Sequence, residues 1–198
     1  MIRDATLDDV DAMAHLAAQR RAEYERAQPQ FWREAPDALE RHVSFLASQV
    51  ADADVVALVA VGSEPGVSAQ SDAPAARAHA VDGFLIATLR PAPPVYDPGG
   101  VTGLVDDFAV TTAALWGTAG RDLLAETRRR LAGRGAVQLV VVCGDHDDAK
   151  LALLRDEGLA TVSQWLLASL SPHHDGEGDG RTATPTTTRS ERPGRGRR

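Results

Sequence analysis

Residues 104–124 combine an apolar strand pattern, two glycines and the start of a helix pattern. The predicted strand ends at Val110, Gly117 and Gly120 follow within the next ten residues, and the helix begins directly afterwards. Free amides at a helix N-terminus point outward at the positive end of the helix dipole, and glycines let the backbone approach an anion closely. This order is typical of a phosphate or pyrophosphate site, although strand, glycine turn and helix also occur together without a ligand.

Hydrophobic periodicity predicts the elements that position this segment, in the order β-α-α-β-β-β-α-β-α-β. A capping pair, Thr6 and Asp9, precedes a helix whose inward face carries Val10, Met13, Ala14 and Ala17. A second helix covers residues 39–50. A short strand is predicted to begin at Ile2, and further strands at residues 55–61, 81–89, 102–110 and 136–143, with one or two closing strands in 159–170. Further helices are predicted at 119–132 and 148–157. The apolar run of the 136–143 strand predicts burial on both faces.

Length and composition indicate one globular domain with a polar tail. The chain has 198 residues, of which 43% are hydrophobic and 25% charged. Its longest apolar run is about eight residues, whereas a membrane span needs roughly 20, and the N-terminus lacks the apolar stretch of a secretory signal. We therefore predict a cytoplasmic protein with a domain at residues 1–170. Residues 171–198 are rich in Gly, Pro, Thr, Asp and Arg, which predicts a disordered tail.

Charge and cysteine content exclude several functions. The chain has a net charge of −7, whereas a protein that binds the phosphate backbone of a nucleic acid needs a basic surface. We therefore expect no nucleic-acid partner. The single cysteine, Cys143, excludes an internal disulfide framework and a multi-cysteine zinc site, so we expect no metal. Lys150 is the one lysine among 21 Lys and Arg residues, and we interpret this bias toward arginine as a genome-wide effect on composition.

The element order and the loop at residues 115–120 resemble the GNAT superfamily of acyl-CoA-dependent N-acyltransferases. In that family the fourth strand ends in a valine, and a Gln/Arg-x-x-Gly-x-Gly/Ala loop begins five residues later. Here the strand ends at Val110 and the six loop positions read LWGTAG. The last glycine matches, whereas Leu115 replaces the basic residue and Thr118 the middle glycine. The resemblance covers about residues 1–170 and rests more on element order than on motif identity.

The resemblance implies an α/β (α+β) fold, with a mixed, mostly antiparallel sheet of six or seven strands flanked by helices. It also implies acetyl-CoA as co-substrate, with loop amides on the pyrophosphate and the pantetheine paired with the end of the fourth strand, where that strand splays from the fifth. The implied residues are Phe108 and Val110 for the pantetheine and Gly117, Thr118, Ala119, Gly120 and Arg121 for the pyrophosphate. The family often places a tyrosine acid on the helix after the fifth strand, where this chain has Leu154.

Asp106 and Asp107 are the candidate general bases for an acceptor amine, since the family often has an acidic residue at this place. A carboxylate in a half-buried cleft has a raised pKa, as a base requires. Neighbours on a strand face opposite sides of the sheet, so only one of them is expected to face the cleft. Alternatively, one orders a strand bulge and the other binds a cationic substrate. Phe31 and Trp32 either line the acceptor pocket or fix the interhelical loop to the core.

Together these features predict an N-acetyltransferase that moves an acetyl group from acetyl-CoA to a primary amine by direct attack on the thioester. The expected acceptor is a small-molecule amine, a protein N-terminus or a lysine, with no nucleic-acid or membrane partner. Exposed strand edges near the C-terminus are compatible with a homodimer. The alternative is a catalytically inactive GNAT-like module that binds acyl-CoA or a protein partner, which Leu115, Thr118 and Leu154 favour.

Overall fold

The computed structural model describes residues 1–62, 80–168 and 170, and a five-stranded sheet forms its centre. The strands are β1 (Ile2–Asp4), β2 (Val56–Val61), β3 (Val81–Arg90), β4 (Val101–Val110) and β5 (Ala136–Val141). They lie in sequence order across the sheet. Pairing is antiparallel from β1 to β4 and parallel between β4 and β5. The mixed, mostly antiparallel sheet that the sequence predicts is therefore confirmed, with five strands in the described residues instead of six or seven.

Helices cover both faces of the sheet. They are α1 (Val10–Ala27), α2 (Pro29–Trp32), α3 (Ala38–Ala51), α4 (Ala119–Gly133) and α5 (Asp148–Asp156). One apolar core lies between the sheet and α1 with α3, and a second lies between the sheet and α4 with α5. The predicted inward residues of α1 are buried. The backbone N–H of Thr6 donates to Asp9 Oδ2 at 2.8 Å, which confirms the capping pair at a short 3-10 turn before α1.

The closing strands predicted for residues 159–170 are absent from the part of this segment that the structure describes. The apolar side chains there have no strand partner, and Trp165 and Leu166 are 85% and 95% exposed. As a result β5 is an edge strand, and Val137 is exposed. The prediction of closing strands is wrong for these residues, and so is the prediction that the fifth strand is buried on both faces.

The middle of β4 contains a bulge at the aspartate pair, where the sequence analysis considers a bulge as one alternative. Ile86 of β3 lies opposite Asp107, and the next residue, Ala87, lies opposite Val105, so Asp106 has no partner across the pair. An extra residue of this kind bends a strand and redirects its side chains. Pairing between β4 and β5 ends nearby, where the Val142 N–H donates to the Val105 carbonyl at 2.9 Å, and the second half of β4 continues without β5.

The predicted tail at residues 171–198 lies outside the described residues, as do residues 63–79. Residues Met1–Leu166 form one compact unit. Within the described ranges, no helix is both long enough and apolar enough to cross a lipid bilayer.

Candidate active site

A cavity of about 520 Å³ opens where α1 and α3 face the bulged part of β4. Asp106 and Asp107 of β4 line one wall, and Arg20 and Arg21 of α1 line another. Lys150 of α5 also contributes to the lining. The cavity therefore combines carboxylates, guanidinium groups and one amine within a volume that suits a small ligand.

The bulge brings Asp106 and Asp107 to the same cavity, which corrects the expectation that they face opposite sides of the sheet. Val105 and Phe108 both pack in the core on the α4 side, although they are three residues apart and regular alternation would separate them. The additional residue in the bulge places both carboxylates on the other side. The structure thus offers two adjacent acidic groups to one ligand, and Asp106 is the more exposed of the two.

Electrostatics distinguish the two carboxylates. Partial burial and the negative charge of Asp107 raise the pKa of Asp106, while Arg90 opposes the shift. No hydrogen-bond donor reaches the Asp106 carboxylate from the described residues. A carboxylate with a raised pKa and no fixed donor is well suited to accept a proton from a ligand.

Asp107 is held by His42 of α3, a residue to which the sequence analysis assigns no function. His42 Nε2 lies 3.2 Å from Asp107 Oδ2, and His42 Nδ1 lies 2.5 Å from Arg21 Nη1. A guanidinium group can only donate hydrogen bonds, so Nδ1 accepts and the imidazole proton is on Nε2, where it donates to Asp107. This chain of contacts fixes the orientation of Asp107 and leaves Asp106 as the less constrained carboxylate.

Another carboxylate, the buried Asp147, connects α1 to the start of α5. Its Oδ2 accepts a hydrogen bond from the Tyr24 hydroxyl at 3.0 Å and pairs with the Arg20 guanidinium. Burial and the charge of Asp147 raise the pKa of Tyr24 above its usual value. The one tyrosine among the cavity-lining residues is therefore a weaker proton donor than an ordinary tyrosine.

Lys150 is fully buried at the place where β4 and β5 separate. Its Nζ donates to the Phe108 carbonyl of β4 at 3.2 Å and to the Val142 carbonyl, just after β5, at 3.3 Å. The amine thus bridges the two strands beyond their last paired residues. Phe108 is a residue whose backbone is expected to pair with pantetheine, so the amine lies directly beside that predicted position.

The loop predicted to hold pyrophosphate forms a 3-10 turn at Ala113–Gly117, and α4 begins at Ala119. Gly117 and Thr118 are exposed, and a Cβ added to Gly117 would meet no atom within 4 Å. The first amides of a helix have no partner within the helix, so the start of α4 can present N–H groups to an anion. The Thr118 N–H instead donates to the Leu115 carbonyl within the turn, and the Arg121 side chain pairs with Glu157.

Trp116 occupies the inner side of this loop. Its indole is 2% exposed and packs edge-on against the Phe108 ring, with ring centroids 4.8 Å apart. A Cβ at Gly120 would lie 2.8 Å from the indole. Gly120 is therefore required by packing on Trp116. The outer side of the loop at Gly117 is open to solvent, whereas the inner side is tightly packed.

Of the two aromatic residues predicted for the acceptor pocket, Trp32 lines the cavity and packs at a tilted angle against Tyr24, with ring centroids 5.2 Å apart. Phe31 is 44% exposed and contacts Trp32 and Trp165 edge-on. The structure thus places Trp32 at the cavity and Phe31 outside its lining.

Comparison with solved structures identifies the fold. A mutant of the BH1408 protein from Bacillus halodurans has 17% sequence identity and a TM-score of 0.69, covering 86% of this chain and 99% of that chain. A predicted acetyltransferase from Clostridium acetobutylicum, solved with acetyl-CoA, has 13% identity and a TM-score of 0.59, covering 88% and 98%. An aminoglycoside acetyltransferase from an uncultured soil metagenomic sample, solved with sisomicin, has 16% identity and a TM-score of 0.53, covering 86% and 95%.

These similarities define the class of fold: the chain has the fold of GNAT-type acetyltransferases. No protein-family model matches the sequence, and no curated protein matches it at a significant level. At identities below 20% the likeness is one of architecture, so the chemistry has to be argued from the cavity itself.

Proposed function

We propose that this protein is an N-acetyltransferase that transfers an acetyl group from acetyl-CoA to a primary amine. One observation carries the proposal: the β4 bulge directs Asp106 and Asp107 into a cavity that lies beside the point where β4 and β5 separate. A proton acceptor thereby adjoins the strand end at which the pantetheine is expected. The GNAT-type fold supports this assignment, because two of its structural neighbours were solved with acetyl-CoA or an aminoglycoside.

Different residues are proposed to bind the pyrophosphate and the pantetheine of acetyl-CoA. The free amides at the start of α4, beside the exposed Gly117, would hold the pyrophosphate, and the backbone of Phe108 and Val110 would hold the pantetheine. Trp116 limits the space between these two regions. When bound, the co-substrate supplies an electrophilic thioester, and the residues of the cavity orient the amine toward it.

Asp106 is the proposed general base. A primary amine is mostly protonated at neutral pH, so a proton must leave before its nitrogen can attack the thioester carbonyl. Asp106 accepts that proton, directly or through a water molecule. Asp107, oriented by His42, provides a second negative charge that attracts the ammonium form of the acceptor. The proposed acceptor is a primary amine of a small molecule, of a protein N-terminus or of a lysine side chain.

A thermal-shift titration of the full chain with acetyl-CoA tests the proposal, with ATP as the phosphate control and free CoA as the control for the acetyl group. A ligand at about 100 times its Kd adds roughly 2.7 kcal/mol of stability, which is a shift of a few degrees. We expect a shift with acetyl-CoA and CoA and none with ATP. A screen of primary amines for CoA release follows. Lack of any shift at millimolar acetyl-CoA would contradict the proposal.

A second candidate function is a GNAT-like module that binds acyl-CoA or a protein partner without turnover. The burial of Trp116 against Gly120 and Phe108 favours it, because this packing narrows the path of the pantetheine. Binding of acetyl-CoA without acetylation of any amine in the screen would support this candidate over the enzyme.

A further inference from the structure

We propose that Lys150 is the general acid of the reaction, donating a proton to the CoA thiolate as it leaves the thioester. The inference rests on the proposed acetyl transfer and adds to it a residue that the resemblance does not supply. The position where the family often has a tyrosine acid holds Leu154, which is buried and has no proton to donate. Tyr24, the tyrosine at the cavity, donates to Asp147 and has a raised pKa.

The hydrogen bonds of Lys150 leave one proton available. A lysine ammonium has three N–H groups, and two of them donate to the carbonyls of Phe108 and Val142. No third partner occurs among the described residues. After the third proton leaves, the neutral amine still has two N–H groups for the same two carbonyls. Proton donation therefore requires no movement of the side chain and leaves neither carbonyl unpaired.

The position of the amine matches the place where a thiolate would form. Lys150 lines the cavity that contains Asp106, and its Nζ contacts the Phe108 carbonyl, beside the predicted path of the pantetheine. A pantetheine arm that pairs with this part of β4 would lie beside this amine. The base and the acid thus lie in one cavity, with the acid on the side where β4 and β5 diverge.

The groups around Lys150 make its ammonium a better acid than an ordinary lysine. Burial lowers the pKa of Lys150, and the positive charge of Arg20 acts in the same direction. Cys143, Asp147 and Asp107 oppose the shift. The remaining neighbours are aromatic: Nζ lies 5.3 Å from the Phe108 ring centroid and 5.8 Å from that of Trp116. Aromatic faces stabilise an ammonium less than the water that they replace. The Lys150 ammonium therefore releases its proton more easily than an ordinary lysine does.

Composition provides an independent observation. The chain contains 21 Lys and Arg residues, and its single lysine is this buried one. Arginine stays protonated in proteins, whereas lysine can release its proton when buried. A general bias toward arginine explains the other 20 positions. The single lysine lies in the cavity, at the position proposed for proton transfer.

The proposed step balances in atoms and electrons. The acceptor nitrogen forms a C–N bond to the acetyl carbon, and the C–S bond breaks with its electron pair on sulfur. Lys150 transfers a proton from Nζ to that sulfur, which yields CoA as a thiol. The acceptor ammonium loses one proton to Asp106 before the attack, and its nitrogen loses a second proton once the C–N bond has formed. Both protons pass through Asp106 to solvent, and Lys150 regains one proton from solvent, so one proton is released per turnover.

The test uses Lys150→Met and Lys150→Arg in the full chain, with Arg155→Met as the control, because Arg155 is an exposed basic residue on the same helix. General acids contribute about 10²- to 10⁴-fold to a rate. We expect kcat to fall at least about 100-fold in Lys150→Met, while Kd for acetyl-CoA changes less than about threefold. Lys150→Arg keeps the charge but not the releasable proton, so it stays similarly slow. Arg155→Met behaves like the wild type.

The pH profile separates an acid from a structural amine. In the wild type, kcat should decline at high pH, with a midpoint below the ordinary lysine pKa of about 10.4, because only the ammonium form donates. Lys150→Met should lose this decline. A wild-type profile without it overturns the inference, even if the variants fail to fold. Wild-type kcat in Lys150→Met or in Lys150→Arg also overturns it, while leaving the acetyltransferase proposal intact. Failure of the wild type to bind acetyl-CoA would overturn both proposals.

Discussion

At the scale of single residues, the cavity separates two adjacent carboxylates by their surroundings. Asp107 accepts a hydrogen bond from His42, whose other nitrogen faces Arg21, and Asp106 has no such donor among the described residues. Their mutual repulsion contributes to the raised pKa of Asp106. This division assigns proton transfer to Asp106 and ligand attraction to Asp107, where the sequence alone treats them as equivalent.

Replacement of the proposed base provides a prediction with two measurements. Asp106→Asn should lower kcat by about 100-fold or more, and it should abolish the loss of activity that we expect as pH falls through the raised pKa of Asp106. The carboxylate form is disfavoured in the folded state, so the same substitution should leave the melting temperature at pH 7 unchanged or higher. Asp8→Asn, at an exposed position, is the control. A large loss of stability in Asp106→Asn would contradict this account.

At the scale of elements, the packing of Trp116 determines how the loop before α4 joins the core. The indole fills the space under the helix start, and Gly120 provides the room for it. The outer residues Gly117 and Thr118 remain exposed. The match of Gly120 to the motif's last glycine thus reflects packing as well as any role in anion binding.

Two glycines of this loop form a matched pair for measurement. A Cβ at Gly120 would lie 2.8 Å from the Trp116 ring and 3.3 Å from Leu153, whereas one at Gly117 meets nothing within 4 Å. Neither glycine has a positive φ. Gly120→Ala should therefore lower the free energy of unfolding by about 1–3 kcal/mol, and Gly117→Ala should change it by less than about 0.5 kcal/mol. Urea denaturation compares them, and equal effects would show that Trp116 does not pack as described.

The capping pair before α1 predicts a pH-dependent contribution to stability. Hydrogen bonds from Arg3, then those from Thr6, lower the pKa of the buried Asp9 carboxyl in spite of desolvation. An acid with a lowered folded-state pKa stabilises the fold above its unfolded-state pKa of about 3.9, and this stabilisation disappears as pH falls through the folded-state pKa. Asp9→Asn should cost about 1–2 kcal/mol at pH 7.

Urea denaturation at pH 7 and at the lowest pH where the chain stays folded measures this effect. The difference between Asp9→Asn and the wild type should shrink at the lower pH. Asp8→Asn, one residue away and exposed, should show little difference at either pH. A cost that is the same at both pH values would mean that Asp9 acts by packing and not by its charge.

At the scale of the whole molecule, the described residues leave apolar side chains exposed near the end of the compact unit. Within residues 1–62, 80–168 and 170, Val162, Trp165 and Leu166 are all more than 80% exposed, and no strand pairs with the outer edge of β5. A strand-like apolar segment and an unpaired strand edge are complementary, and pairing between two copies of the chain would cover both. We therefore expect a homodimer.

Analytical ultracentrifugation of the full chain tests this expectation. The wild type should sediment as a dimer at micromolar concentration, and Leu166→Asp should shift it toward the monomer. Val95→Asp is the control, because Val95 is 79% exposed in the loop between β3 and β4. A monomeric wild type, or an equal effect of the control, would contradict the prediction.

The sequence by itself determined most of the secondary structure, because hydrophobic periodicity and capping are local properties. The predicted bounds of the fourth strand and of the helix after it differ from β4 and α4 by one residue. The local pattern also predicted strands in residues 159–170, and that prediction is wrong for the residues described there. Apolar alternation shows that a segment can form a strand, but a strand also needs an edge to pair with.

Only the tertiary structure decided how the candidate site is built. The bulge at Asp106 depends on the register between β3 and β4, which no local pattern encodes. His42 reaches Asp107 across 65 residues of sequence, and Lys150 reaches Phe108 across 42. The single lysine was visible in the sequence, but its significance was not. Burial and the divergence of β4 from β5 are what make that amine a candidate acid, and both arise only when distant segments pack together.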